Sequence, residues 1–152
     1  MSIDHLIQTL QDFKRPASAH GTPDRKAAVA IVLSAGERGV EMLMIRRAVR
    51  EGDPWSGHMG FLGGRRDLED SSCQACAARE IHEEIGLDLG KHGALLCEFS
   101  DVNTGWRPDR PEMRIAPYVY WLEAVPTPAL NHEVDDVAWV PLGFFQEPEN
   151  RE

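Results

Sequence analysis

The sequence has no apolar run approaching the roughly 18 residues that a membrane-spanning helix needs. Its N-terminus, MSIDHLIQTLQDF, carries acids and glutamines where a secretory signal peptide has an apolar stretch. Only three residues are cysteines, and an odd number argues against a disulfide framework and favours a reducing compartment. These absences predict a cytoplasmic protein without membrane contact.

Basic residues are in the minority, with 16 Lys and Arg against 25 Asp and Glu, so the net charge is −9. A field of that sign repels phosphate backbones, which argues against bulk nucleic acid as a partner. A phosphorylated small molecule is compatible with it, provided that a divalent cation lies between the phosphates and the acids. For the assembly, a symmetric homodimer is the default expectation.

The chain length and the order of elements predict one domain of mixed helices and strands. Apolar residues at helical spacing predict an N-terminal helix from Ile3 to Phe13, and a loop follows. A central helix is capped by Ser71 or Ser72 and ends before Gly86. Strands are predicted from Ala27 to Ser34, Val40 to Arg46, Ala94 to Phe99, Ile115 to Leu122 and Val134 to Val140. This order indicates an α+β fold or an α/β sandwich with a mixed sheet.

The central helix carries three glutamates near its C-terminal end. At 100° per residue, Glu83 and Glu84 lie roughly 60° and 40° to either side of Glu80, so the three carboxylates share one face. The opposite face is apolar and is made by Ala78, Ile81 and Ile85. Like charges at these spacings repel each other, and the helix dipole disfavours acids at this end. A cation would relieve both effects, and oxygen ligands favour Mg²⁺ or Mn²⁺. The alternative is a solvated acidic face.

Two further local patterns flank the start of this helix. Gly63 and Gly64 follow a short apolar segment, and paired glycines let the backbone approach a ligand closely. The Gly64 carbonyl would add a neutral ligand if it faces the glutamates; otherwise the pair makes a simple strand-to-helix turn. Cys73 and Cys76 form a CxxC without a second pair, so reduced, partly buried thiols are expected rather than a zinc site.

These residues resemble the signature of the Nudix hydrolase family, which is Gly, five residues, Glu, seven residues, then Arg-Glu-aliphatic-any-Glu-Glu-any-Gly-aliphatic. The segment REIHEEIGL, from Arg79 to Leu87, matches the second half without exception. The spacing from Gly64 to Arg79 is one residue longer than the signature. The first Glu of the signature therefore corresponds to Asp70, counted from Gly64, or to Ser71, counted back from Arg79.

The coenzyme A pyrophosphatase branch of the family is similar to this chain in a lengthened segment of the type Phe-Pro-Gly-Gly-Arg-Arg-Asp. Here the segment reads FLGGRRD, from Phe61 to Asp67, and Leu62 stands where that branch has proline. The DPWSGH segment before it and the NHEV and WVPL segments after it are also similar. Coenzyme A or an acyl derivative is therefore the favoured substrate, cleaved to adenosine 3′,5′-bisphosphate and a 4′-phosphopantetheine product.

The resemblance implies an α/β/α sandwich with the central helix against a mixed sheet. The expected organisation is a single domain over residues 1–152, with an N-terminal helix and loop (1–23) before a core (27–145). It implies hydrolysis of a nucleoside diphosphate linked to another group, with Mg²⁺ or Mn²⁺. The implied metal ligands are Glu80, Glu83, Glu84 and the Gly64 carbonyl. Arg79 would pair with acids and hold Glu80. The closing C-terminal helix typical of the family is expected to be short or absent.

Several roles stay open in the sequence. The catalytic base is Glu80, Glu83 or Glu133, the last on a later loop. Phosphate contacts are expected from Arg46, Arg47, Arg65 and His58. Trp55, Trp106 and Tyr118 either stack on a base or pack in the core. Alternative substrates are a sugar nucleotide, ADP-ribose, a dinucleoside polyphosphate or a damaged nucleotide. An alternative function is a Nudix-fold module that senses a nucleotide without cleaving it.

Overall fold

The computed structural model describes residues 2–16, 27–52, 57–104, 108 and 113–150. Trp55 and Trp106, the two tryptophans considered above for base stacking, lie outside these ranges, as does most of the DPWSGH segment. The helices are α1 (Ile3–Asp12), α2 (Cys73–Ile85), α3 (Leu89–His92) and α4 (Leu142–Gln146), with a final 3-10 turn at Pro148–Asn150. The strands are β1 (Ala27–Gly36), β2 (Gly39–Arg47), β3 (Met59–Gly60), β4 (Leu62–Arg65), β5 (Gly93–Glu98), β6 (Val102–Asn103), β7 (Arg114–Leu122) and β8 (Val134–Pro141).

The strands form the predicted mixed sheet. Strand β1 pairs in parallel with β7 and antiparallel with β2, while β8 lies on the other side of β2. Toward one end of the sheet, β3 pairs with β2 and β4 pairs with β1. In the second of these pairs, Gly64 lies opposite Ala28. The segment 59–65 therefore lies between the separating ends of β1 and β2, and it carries the paired glycines to the middle of the sheet.

Helices cover both faces of this sheet, as the resemblance implies. On one face, α2 buries Ile81 and Ile85 against small residues of β1, Ala28 and Ala30, which let the helix approach closely. On the other face, α1 and α4 contribute partly buried apolar residues to a second cluster, which includes Trp121. The α/β/α sandwich is confirmed.

The sequence signals at the ends of α2 are confirmed in the structure. The Ser72 hydroxyl accepts a hydrogen bond from the Ala75 amide at 3.0 Å, so Ser72 and not Ser71 is the N-cap. Gly86 ends the helix with φ 73°, a left-handed conformation that glycine adopts without strain. The backbone amides of Ala129 and Asn131 then donate hydrogen bonds to the last helical carbonyls, those of Ile85 and Glu84, at 2.8 and 3.0 Å. A distant loop is thereby attached to the end of α2 that carries the glutamates.

Some expectations need correction. Tyr118 is only 5% exposed in the cluster beneath α2, so the alternative of base stacking is wrong for this residue and the packing alternative is confirmed. Helix α3 and strand β6 have too few residues to give a periodic signal, and neither was predicted. Helix α4 has five residues. In the part of the chain that the structure describes, no helix has both the length and the apolar character needed to cross a membrane.

Candidate active site

The three glutamates of α2 differ strongly in exposure. The side chain of Glu83 is 53% exposed and that of Glu80 is 15% exposed, whereas Glu84 retains 2% of its accessible surface. A solvated acidic face is therefore the wrong description of Glu84, because β4 and the loop before β8 close over its side of the helix. The helical wheel places the three carboxylates together correctly but contains no information on which of them the sheet covers.

Glu84 is held against the backbone of β4. Its Oε1 accepts a hydrogen bond from the Gly63 amide at 2.9 Å. Gly63 has φ 156°, and a Cβ atom there would overlap the Ala28 carbonyl oxygen, so a glycine is required. Burial raises the pKa of Glu84 to about 8; the Gly63 hydrogen bond and the charge of Arg47 oppose this shift, whereas Glu80 and Glu133 add to it.

Glu80 occupies the space above Gly64. A Cβ atom at Gly64 would lie 2.5 Å from the Glu80 carboxyl carbon, so the carboxylate takes the place that a side chain would fill. Burial raises the pKa of Glu80; Arg79 opposes the shift and the charge of Glu83 adds to it. The Gly64 carbonyl faces α2, where it accepts a weak hydrogen bond from the Cys76 thiol at 3.6 Å. The carboxylates of Glu80 and Glu84 thus lie against the paired glycines, and the Gly64 carbonyl faces the same helix.

Arg79 links this region to the loop before the helix. Its Nε and Nη2 donate to the two oxygens of Asp70 at 2.9 and 3.0 Å, a bidentate pair. Its Nη1 donates to Glu80 Oε1 and Glu83 Oε1, both at 3.2 Å, and Nη2 also donates to the Arg65 carbonyl at 3.2 Å. Of the two residues that the signature spacing left open, Asp70 is therefore the one that pairs with Arg79.

Replacing Arg79 by Lys is expected to lower kcat/KM by about 10- to 100-fold, the usual effect of removing a partner that orients ligands. A lysine keeps the charge but lacks the planar fork, so it cannot bond Asp70 through two nitrogens while also holding Glu80 and Glu83. Steady-state kinetics check the loss. Arg38→Lys, at the distant β1–β2 turn where the side chain is 63% exposed, is the matched control and keeps full activity. Equal activity of the two variants would contradict the positioning role.

Asp70 predicts a pH dependence of stability. The hydrogen bond from Arg79 lowers the pKa of Asp70 to about 2, although burial opposes the shift. A carboxyl whose pKa is lower in the folded state stabilises that state above its unfolded pKa of about 4 and loses the contribution as pH falls toward 2. Urea unfolding between pH 5 and pH 2 should therefore show a steeper loss of stability in wild type than in Asp70→Asn. Parallel curves would contradict the Asp70–Arg79 pair.

Glu133 approaches the same site from the loop before β8. Its charge contributes to the raised pKa of both Glu80 and Glu84, so it lies near them although it is far away in sequence. Its amide donates to Asn131 Oδ1 at 2.9 Å, and the Asn131 amide donates to the Glu84 carbonyl at 3.0 Å. The Glu133 side chain is 43% exposed. It is therefore an accessible carboxylate beside two enclosed ones.

The predicted phosphate-binding residues are only partly brought together. Arg47 acts on Glu84, since its charge lowers the pKa of that carboxyl. Arg46, one residue earlier on β2, lies opposite Asp136 of β8 and Met59 of β3 and is exposed on the other face of the sheet. The Arg65 side chain is exposed, and its carbonyl serves Arg79. His58 is exposed just before β3, and its carbonyl accepts from the Arg47 amide at 3.0 Å.

The donor set fits a divalent cation. It consists of carboxylate and carbonyl oxygens, which Mg²⁺ and Mn²⁺ prefer, and Glu80 and Glu84 are enclosed acids whose raised pKa values a dication would reverse. Within the described ranges, no three acidic, imidazole or thiol side chains already stand as a ligand cluster. Cys73 and Cys76 are free, buried thiols, as expected.

Two groups of this region are absent from the predicted site residues. The sequence pattern presents Gly63 only as one of a glycine pair, because the hydrogen bond that its amide donates to Glu84 depends on the tertiary fold. The sequence predicts Cys76 only as a buried thiol, because its contact with Gly64 depends on how closely α2 approaches β4. Burial raises the pKa of the Cys76 thiol to about 11, so at neutral pH it carries a proton to donate.

Comparison with known proteins agrees with this geometry. The family model of the NUDIX domain matches residues 24–152. The chain belongs to the Nudix family. Among solved structures, this Nudix chain superposes on a C. elegans Ap4A hydrolase binary complex with a TM-score of 0.66, at 17% identity, over 83% of this chain and 89% of that one. At that identity the likeness shows the Nudix fold alone.

Curated relatives support the same family. An uncharacterized protein of Schizosaccharomyces pombe is 30% identical over 94% of this Nudix chain and 49% of its own length. The peroxisomal coenzyme A diphosphatase NUDT7 of Mus musculus is 27% identical over 86% of this chain and 52% of its own length. The chain spans about half the length of the curated relatives it matches.

Proposed function

We propose that this chain hydrolyses the diphosphate bond of a nucleoside diphosphate linked to another group, with Mg²⁺ or Mn²⁺ as cofactor. The observation that carries the proposal is the enclosure of Glu80 and Glu84 against Gly63 and Gly64, with Glu133 close enough to raise the pKa of both carboxyls. Mutual repulsion between partly buried acids is costly without a cation. A protein that only senses nucleotides has no need of that arrangement.

We propose separate roles for the residues of the site. Glu80, Glu83, Glu84 and the Gly64 carbonyl would hold the cation, which neutralises diphosphate charge and lowers the pKa of a bound water. Arg79 positions Glu80 and Glu83 through its hydrogen bonds. Glu133 is the base that the geometry favours, because its carboxylate is accessible and its loop is bonded to the end of α2. It would accept the proton of the attacking water.

Coenzyme A or an acyl derivative is the substrate that we propose within this class. Support comes from the FLGGRRD segment and from the mouse relative, which is named as a coenzyme A diphosphatase. We expect Arg47 to contact a phosphate beside the glutamates, because its charge acts on Glu84 and because Arg65 and His58 lie near the same end of the sheet. We propose a single Nudix domain for residues 1–152. The cytoplasmic location stays a prediction, since the mouse relative is named as peroxisomal.

A substrate screen tests the proposal. Purified protein is incubated with coenzyme A, acetyl coenzyme A, ADP-ribose, a dinucleoside polyphosphate and nucleoside triphosphates, each with Mg²⁺, with Mn²⁺ and with EDTA. We expect metal-dependent formation of adenosine 3′,5′-bisphosphate and a 4′-phosphopantetheine product, resolved by chromatography and mass spectrometry. Turnover of another linked diphosphate alone would keep the chemistry and overturn the substrate. Turnover restricted to triphosphates, or no turnover at all, would overturn the proposed function.

A further inference from the structure

We propose that Cys76 is a positioning residue: its thiol fixes the Gly64 carbonyl beside the glutamates and thereby raises the affinity of the site for its divalent cation. This inference rests on the proposed function, because it concerns the same metal site. Cys76 lies in α2 one turn before Glu80, on the side of the helix that faces β4. It contributes to the site through another group and is not itself a metal ligand.

Cys76 lies between the Gly64 carbonyl of β4 and the Arg79 guanidinium of α2. Its Sγ lies 3.6 Å from the Gly64 carbonyl oxygen and 4.0 Å from Arg79 Nη2, and it also contributes to the lowered pKa of Asp70. The residue is completely buried. One side chain therefore contacts both the carbonyl and the guanidinium that border the glutamates.

The tolerance at this point of the structure is small. Strand β4 has four residues, and the Glu80 carboxylate already occupies the position where a Cβ of Gly64 would be. Because the thiol and the volume of its sulfur lie against this carbonyl, both restrict how the carbonyl can turn. Loss of either would let β4 and α2 shift relative to each other, and the carbonyl would no longer be aligned with Glu80.

Three variants separate the donor from the volume. Cys76→Ala removes both, Cys76→Val removes the donor and restores volume, and Cys76→Ser keeps a donor in a smaller side chain. Cys97→Ala is the matched control, since Cys97 is also a buried free thiol but packs in the cluster on the other face of the sheet. The primary readout is Mn²⁺ affinity of the substrate-free protein, titrated by electron paramagnetic resonance, with thermal unfolding in EDTA measured alongside.

We expect the Mn²⁺ dissociation constant to rise about three- to tenfold in Cys76→Ala and Cys76→Val, the effect of losing one modest hydrogen bond. Cys76→Ser should lose less than Cys76→Ala, and Cys97→Ala should stay within twofold of wild type. In kinetics, the Mn²⁺ concentration for half-maximal rate should rise, while kcat at saturating Mn²⁺ changes little. A purely structural role would lower the melting temperature in EDTA without moving the Mn²⁺ affinity.

Two results overturn the inference in distinguishable ways. If wild type binds Mn²⁺ and turns over substrate, but Cys76→Ala and Cys76→Val bind Mn²⁺ within twofold of wild type, the positioning role is wrong and the proposed function stands. If wild type shows no saturable Mn²⁺ binding, the metal site itself fails and the inference fails with it. Should Cys76→Val not fold, the comparison of Ala with Ser decides, and equal affinities for those two would overturn the role of the donor.

Discussion

Replacing Glu84 by Gln should reduce turnover by at least about 100-fold, because the change removes one of the proposed charged metal ligands and not merely a partner that orients one. The same variant should be at least as stable as wild type without metal. Glu84 is buried beside Glu80 and Glu133, so neutralising it relieves repulsion, while the amide oxygen still accepts the Gly63 hydrogen bond. Initial rates with saturating Mg²⁺ and thermal unfolding in EDTA measure the two effects.

The control for this change is Glu37→Gln in the exposed turn between β1 and β2, which removes one negative charge far from the site. It should leave both rate and melting temperature unchanged. Glu83→Gln tests the exposed member of the trio and should also abolish turnover, with little effect on stability because its carboxylate is largely solvated. Turnover within tenfold of wild type in both Glu84→Gln and Glu83→Gln would contradict the assigned mechanism.

Replacing Gly64 by Ala should leave the protein folded but reduce turnover by about 100-fold, a loss of the size seen when metal ligands are misplaced. The added methyl group would lie 2.5 Å from the Glu80 carboxyl carbon, and the flexible end of Glu80 can move away. The strand is thereby preserved, but the carboxylate no longer lies above the Gly64 backbone. Kinetics together with a Mn²⁺ titration measure the loss.

Gly63 and Gly60, on the same segment, serve as comparisons for Gly64. At Gly63 the added methyl group would meet the backbone of Ala28, and φ is 156°, so Gly63→Ala should lower the free energy of unfolding by more than about 2 kcal/mol. Gly60 has no atom within 4 Å of an added Cβ, and Gly60→Ala should change neither stability nor turnover. Wild-type turnover in Gly64→Ala would show that Glu80 does not need its place above the strand.

The sequence predicts much of this fold because its strongest signals are local. The apolar run of β1, the cap at Ser72 and the stop at Gly86 are set by neighbouring residues, and the structure confirms them. The short strands β3 and β4 could not be predicted as sheet members. They acquire their place only when β1 and β2 separate and leave backbone groups for the segment 59–65 to bond.

The site was predictable in its residue types and not in its burial. Helical spacing brings Glu80, Glu83 and Glu84 together. Their difference in exposure, from enclosed Glu84 to exposed Glu83, depends on a distant loop, which the Asn131 amide attaches to the end of the helix by a hydrogen bond. Strand periodicity separates Arg47, which acts on Glu84, from Arg46 on the other face. The sequence shows that Arg46 and Arg47 lie on opposite faces of the strand, but which of them faces the glutamates can be predicted only when the face of β2 that α2 covers is known.

A crystal structure with Mn²⁺ tests the central claim most directly, since anomalous scattering identifies the ion independently of any activity. The account predicts a peak about 2 Å from carboxylate oxygens of Glu80 and Glu84, with the Gly64 carbonyl alongside. Well-diffracting crystals in Mn²⁺ that show no such peak at Glu80 and Glu84 would contradict it.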